Sequence, residues 1–148
     1  MKIYCSNNDS QVDGWELITT KQLKKLPYED GEVQAIYLCN CFNRRGDIVT
    51  ILKECKRVLM DGGKIYISVP SFYTISKMYQ GNQVSADTAF ELLNGIIVDV
   101  PSLKQMLFSA GFRHAGHYDY WKLPHGDKGD FSAKTHRGIH IALNVMAY

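Results

Sequence analysis

The chain has 148 residues, 45% of them hydrophobic and 22% charged, with a formal net charge of +2. That length suits one domain, residues 1–148, with its own core, and so small a charge argues against nucleic acid or an anionic membrane as partner. No apolar run approaches the ~20 residues that span a bilayer, and the opening MKIYCSNNDS has one lysine and no apolar stretch, so a cytoplasmic protein without a secretory leader is expected.

Lys2 to Cys5 reads as a short strand, followed by SNNDSQVDG, a polar loop of turn formers. Trp15 to Ile18 is a second candidate strand. Thr19 or Thr20 can cap a short helix, TKQLKKL, which Pro27 ends. Glu29-Asp30-Gly31 is a turn, and Val33 to Cys41 is an apolar strand. From Asp47 to Pro70 the pattern is helix, turn and strand. Ile48, Ile51, Leu52, Cys55, Val58 and Leu59 recur at helical spacing, while Lys53, Glu54, Lys56 and Arg57 fall off that stripe. Asp47 is expected to cap the helix, and Gly62-Gly63 to end it through positive φ. Ile65, Ile67 and Val69 then alternate with Tyr66 and Ser68 in a β-branched strand. Strand, helix and strand in succession imply a parallel pair with a right-handed crossover, buried on both faces.

Ser71 to Tyr79 reads as a helix, as does Thr88 to Leu93. Pro101 opens a further helix, PSLKQMLFSAGF, with Leu103, Met106, Leu107 and Ala110 inward and Gly111 at its end. His114 to Trp121 reads as a strand, LPHGDKGDFSAKTHRG as a long polar loop, and His140 to Ala147 as the last strand.

None of the four cysteines, Cys5, Cys39, Cys41 and Cys55, belongs to a C-x-x-C pair. They read as small buried side chains in a reducing compartment, and no metal site is expected. Lys24-Lys25 and Arg44-Arg45 suit a solvated face, though a phosphate-bearing ligand would also use them. His125, beside Asp127 and Asp130, offers a conceivable His–Asp general base, with a solvated loop histidine as the plainer reading. Tyr73, Tyr79, Tyr118, Tyr120 and Trp121 either line an acceptor pocket or fill the core.

RVLMDGGKIYISVP resembles the segment around the fourth and fifth strands of the class I S-adenosylmethionine-dependent methyltransferases. LKKLPYEDGEVQAIYLCNCF is similar to that family's approach to its fourth strand. GIHIALNVMAY resembles the closing strand of a bacterial subgroup associated with surface-polysaccharide genes. The resemblance implies an α/β three-layer sandwich: a mostly parallel Rossmann-like methyltransferase sheet with an antiparallel C-terminal strand, lacking part of the N-terminal half. Strands near 2–5, 33–40 and 64–69 are expected as parallel neighbours with the first one central. The last strand is expected antiparallel between 64–69 and 114–121.

The same resemblance places a cofactor site. Cys5, Ser6 and Asn7 stand where the family has a glycine-rich loop, which lets backbone approach ligand closely. Thr19 or Thr20 stands where a carboxylate would hold the ribose. Gln22 aligns with the acidic partner of the adenine amine and retains hydrogen-bonding capacity. Leu38, Cys39 and Asn40 lie at the carboxyl end of a parallel strand, where ligands of such sheets bind. Phe42-Asn43-Arg44 replaces a Leu-Glu-His trio, so no catalytic residue is assigned.

The expectation is an S-adenosylmethionine-dependent methyltransferase with a degraded cofactor site, binding S-adenosylmethionine weakly or not at all. Its acceptor would be a small molecule or saccharide. The alternative is a non-catalytic, methyltransferase-like binding or assembly subunit. If the sheet ends near Trp15 to Thr19, the bare edge invites a homodimer.

Overall fold

Side chains in a strand alternate between faces, so the apolar runs decide which faces are buried. In the computed structural model, which describes residues 1–6, 11–124 and 130–148, those runs form one sheet of six strands. They are β1 (Lys2–Ser6), β2 (Glu16–Leu17), β3 (Val33–Cys39), β4 (Leu59–Pro70), β5 (Ala115–His117) and β8 (Ala142–Ala147). Their order is β2-β1-β3-β4-β8-β5. β1, β2, β3 and β4 are mutually parallel, and β8 runs antiparallel to both β4 and β5. The expected parallel trio and the inserted last strand are therefore present. β1 is internal but not central, because only the two residues of β2 flank it; β3 and β4 form the middle.

One face is aliphatic. Ile3 and Cys5 of β1, Ile36 and Leu38 of β3, Ile65, Ile67 and Val69 of β4 and Val145 of β8 are buried together. Against them pack α1 (Ile48–Val58), through Ile48, Ile51, Leu52, Cys55 and Val58, and α4 (Val100–Ser109), through Leu103 and Leu107. Each fully buried aliphatic side chain of this kind stabilises the fold by about 1.5–3 kcal/mol. α1 is tied to the chain entering β3 by Arg57, whose guanidinium donates to Tyr28 O (3.0 Å), Asp30 Oδ1 (2.7 Å) and Glu54 Oε1 (2.6 Å).

The other face carries Tyr4, Tyr37 and Cys39, with Trp15, Tyr66, Tyr118, Leu123 and Phe131 packed on them. Its cover comes from 3-10 turns at Tyr120–Lys122 and Phe131–Ala133. A pair of helices, α2 (Phe72–Gln80) and α3 (Ala86–Leu93), pack on each other around Ile75, Met78 and Ala89. Ser71 and Ser85 cap them, accepting from Thr74 N and Thr88 N.

Several local expectations change. Asp47 does not cap α1: it lies in a 3-10 turn, Arg45–Asp47, with helical φ and ψ, and its carboxylate pairs with Lys24 at 3.0 Å. Gly62 and Gly63 do not end the helix, since Leu59 is already extended and β4 begins there. They belong to an irregularity where β4 shifts register against β3. Gly62 has φ +75°, and a Cβ on Gly63 would meet Met60 O at 2.8 Å, so both positions need glycine. The helix expected in TKQLKKL is only a 3-10 turn, Thr20–Gln22, because so short a segment does not sustain an α-helix alone. The strand expected over 114–121 shortens to β5 as the chain turns into the 3-10 segment. Ile139–His140 (β7) pairs with Thr135–His136 (β6) in a separate hairpin, so the last strand starts at Ala142.

Candidate functional site

The parallel strands stop on one side of the sheet. Ser6, Cys39 and Ser68 occupy one rung across β1, β3 and β4. Just beyond, Asn40 adopts the left-handed region (φ +48°) and its N–H donates to Ser68 O at 2.8 Å. Asparagine tolerates that conformation better than most residues. It lets the chain turn away at the strand end, beside the ends of β1 and β3, the side on which open parallel sheets bind ligands.

Seven of the eight residues assigned to a cofactor fall into three groups. Ser6 and Asn40 sit half-buried at the strand ends. Cys5, Leu38 and Cys39 are buried to 1% exposure or less, so their side chains hold the core. Cys5 lies beside Cys41. The thiol–thiol hydrogen bond holds Cys5 below its ordinary value and pushes Cys41 above it. Burial raises the Cys39 thiol to about 12. Thr19 and Gln22 engage each other: Thr19 N and Oγ1 both donate to Gln22 Oε1, at 2.8 and 3.0 Å. Asn7 lies outside the described residues, as do His125 and Asp127.

A larger cleft, about 490 Å³, opens beyond the end of β4. Ser71, Tyr118, Tyr120, Trp121, His140 and Asn144 line part of it, with Tyr73 at the side. Four of the five aromatics singled out in the sequence thus meet here. Tyr79 instead lines an apolar groove between α2 and α3.

Beneath the cleft runs a chain of buried hydrogen bonds. Tyr37 Oη donates to Asp130 Oδ2 at 2.5 Å, and Ser132 N donates to Asp130 Oδ1 at 2.9 Å, with Ser132 Oγ on the same oxygen. Asn144 Nδ2 donates to Ser132 O at 3.0 Å. Ser68 Oγ donates to Asn144 Oδ1 at 2.6 Å. A hydroxyl has one proton, so the 2.9 Å contact between Ser68 Oγ and Tyr118 Oη has tyrosine as donor. His140 Nε2 lies 2.7 Å from Ser132 O. A carbonyl only accepts, so Nε2 carries a proton, and in the neutral ring Nδ1 is then the acceptor. Burial pushes the Tyr37 and Tyr118 phenols up, which keeps both neutral as donors. Asp130 was read in the sequence only as a neighbour of His125; here it anchors Tyr37 and Ser132 instead. Ser68 and Asn144 carried no functional signal. The expected antiparallel pairing of their strands could have set them opposite each other, as they are.

This sheet order, with its antiparallel strand beside β4, is the fold of the Rossmann-like S-adenosylmethionine-dependent methyltransferases. Residues 4–67 match the methyltransferase domain family. Among curated proteins the chain is similar to the ubiquinone/menaquinone biosynthesis C-methyltransferase UbiE of Geobacter sp. (strain M21): 26% identical over 127 residues, covering 75% of this chain and 54% of that protein. The chain therefore spans about half the length of that relative. Among solved structures it superposes on an S-adenosylmethionine-dependent methyltransferase of Thermotoga maritima with a TM-score of 0.57 and 15% identity, covering 90% of this chain and 64% of that one. A methyltransferase of Archaeoglobus fulgidus gives a TM-score of 0.52 at 15% identity, covering 98% and 74%. The methyltransferase CalH, solved with S-adenosylhomocysteine, gives 0.52 at 14% identity, covering 92% and 36%.

The end of β2 offers Thr19, already bonded to Gln22, where the resemblance calls for a carboxylate. The neighbouring cleft is lined by Lys21, Lys24 and Arg44 with Asp47. Among the described residues no group of His, Cys, Asp or Glu is placed to hold a metal, and no helix is long and apolar enough to cross a membrane.

Proposed function

We propose that this chain is a class I S-adenosylmethionine-dependent methyltransferase domain with a weakened cofactor end and a small-molecule acceptor bound in the cleft beyond β4. The observation that carries the reading is the juxtaposition at one end of the sheet. The strand ends at Ser6 and Asn40 lie, across Ser68, beside a cleft with a hydrogen-bonded polar floor and an aromatic rim. Positioning of two reactants side by side is what transfer from an activated donor demands of a protein. Ser6 and Asn40 would meet the amino-acid end of the donor, and Thr19 and Gln22 its nucleoside end.

The cofactor is expected to bind weakly. Each lost charge-assisted or backbone hydrogen bond costs roughly 1–3 kcal/mol, and about 1.4 kcal/mol is tenfold in affinity. S-adenosylhomocysteine at a hundred times its dissociation constant adds ~2.7 kcal/mol of stability. The expected result is therefore little or no rise in melting temperature at micromolar ligand, and a measurable rise only at millimolar. A clear micromolar shift would mean that the substituted groups replace the missing ones. No shift at any concentration would favour the second reading, a non-catalytic binding or assembly subunit. That reading draws its support from the mutual bonding of Thr19 and Gln22, which spends the very groups the donor would use. A homodimer through the β2 edge, and a place in the cytoplasm, complete the proposal.

A further inference from the structure

The cleft beyond β4 is rich in rings. Tyr120 packs edge-on to Trp121 with centroids 5.1 Å apart, and tilted on His140 at 5.3 Å. Trp121 is 58% exposed, so this run of three rings faces the opening. On the floor, Asn144 uses both its oxygen and its nitrogen on Ser68 and Ser132, and Tyr118 gives its proton to Ser68. At the rim, Ser71 Oγ donates to Thr74 Oγ1. Among the described lining residues there is no lysine or arginine, while Asp119 contributes a carboxylate. Asp119 is shared with Lys122 at 2.8 Å, but both are well exposed, and such a pair holds its partner weakly. In the neutral imidazole, His140 Nδ1 adds a lone pair beside the Tyr120 ring.

We propose that this cleft binds a cationic amine through the Tyr120–Trp121–His140 rings and the Asp119 carboxylate. A cation over an aromatic face is drawn by the ring quadrupole, and more strongly where water is partly excluded. Asp119 supplies the opposite charge, and His140 Nδ1 accepts an N–H from a protonated amine that has one. The amine site rests on the cleft being the acceptor side of the domain, but its test needs no cofactor.

The experiment is a fluorescence titration of the intact chain with choline and with its neutral carbon isostere, 3,3-dimethylbutan-1-ol, at matched ionic strength. The two probes share size and shape and differ in charge. Choline is expected to change the tryptophan signal saturably, with a dissociation constant at least about tenfold below that of the isostere. Trp121→Phe should abolish the signal change while calorimetry still detects binding, which separates Trp121 from Trp15. Asp119→Asn should weaken choline several-fold and leave the isostere unchanged. Equal affinities would overturn the proposal, since the cleft would then be merely apolar. So would no saturation by choline at any soluble concentration, a result of the unmodified chain that needs no variant to fold. Choline binding without any response to S-adenosylhomocysteine would keep the amine site and remove the transfer reading; the opposite pair of results would do the reverse.

Discussion

The two faces of the sheet are held by different physics, though they share every strand. Ile67 and Ser68 are adjacent in β4, both wholly buried, and point opposite ways. Ile67 meets aliphatic side chains of α1, α4 and the neighbouring strands. Ser68 meets Asn144 and Tyr118, each by one directed bond. Dispersion and water exclusion are non-directional, so the first face depends on filled volume. Hydrogen bonds are directional and costly to leave unmade, so the second depends on complementary partners. The candidate cleft lies over the second face. A polar floor held by directed bonds keeps its groups in place beneath the cleft.

Matched substitutions sharpen that contrast. Ile67→Ala should be the most damaging, about 2–5 kcal/mol, because it leaves a cavity among groups that cannot collapse onto it. Ile67→Val and Ser68→Ala each remove a single heavy atom. The first should cost about 0.5–1.5 kcal/mol. The second strands Asn144 Oδ1 and Tyr118 Oη in a dry site and should cost about 1–3 kcal/mol. Urea unfolding of the three variants checks the order. If Ser68→Ala proved milder than Ile67→Val, the network would be ornamental and the two faces energetically alike.

The aliphatic face was legible in the sequence for the same reason that it is robust. Ile48, Ile51, Leu52, Cys55 and Val58 announce a helix by their spacing, and Ile65, Ile67 and Val69 a strand by theirs. The C-terminal strand and its antiparallel place beside β4 could likewise be expected. The polar face was not legible, because its members stand at 37, 68, 130 and 144 and each looks ordinary alone. No local period links Tyr37 to Asp130; only the closed topology does. The aromatic cluster was half visible. Tyr73, Tyr118, Tyr120 and Trp121 could be suspected as a pocket, but composition cannot tell a rim from a core. Asp47 and Gly62-Gly63 misled for a local reason. A capping residue and a glycine pair fit a helix end by pattern, while Lys24 claims Asp47 and a strand irregularity claims the glycines.

Alkaline pH offers a gentler probe of the second face. Burial raises the Cys39 thiol from an ordinary value near 9 to about 12. Folding therefore favours the protonated form. That stability is fully present below the unfolded value and is lost as pH rises through the window from about 9 to about 12. Tyr28, raised to about 12 first by burial and then by its bond to Glu16, contributes in the upper part of the same window. The chain is expected to lose stability steadily above pH 9, and Cys39→Ala should flatten the first part of that decline. An unchanged slope in the variant would show that folding does not raise the thiol above its ordinary value.

The smallest effect is expected at the edge both faces share. β2 pairs with β1 over only two residues, and Leu17 is 43% exposed there. Its outer edge has no further strand among the described residues. An exposed edge is a template for strand pairing, and a second copy could add β2 to β2. Two residues supply few bonds, each worth about 0.5–1.5 kcal/mol net, so the dimer should be weak, near the millimolar scale of about 4 kcal/mol. Sedimentation velocity over a wide concentration series should show the mean mass rising only at the highest loadings. Leu17→Lys places like charges across the pair and should abolish the rise without altering the melting temperature. A wild-type chain that stays monomeric throughout would leave the edge bare, and the short β2 itself would then be its protection.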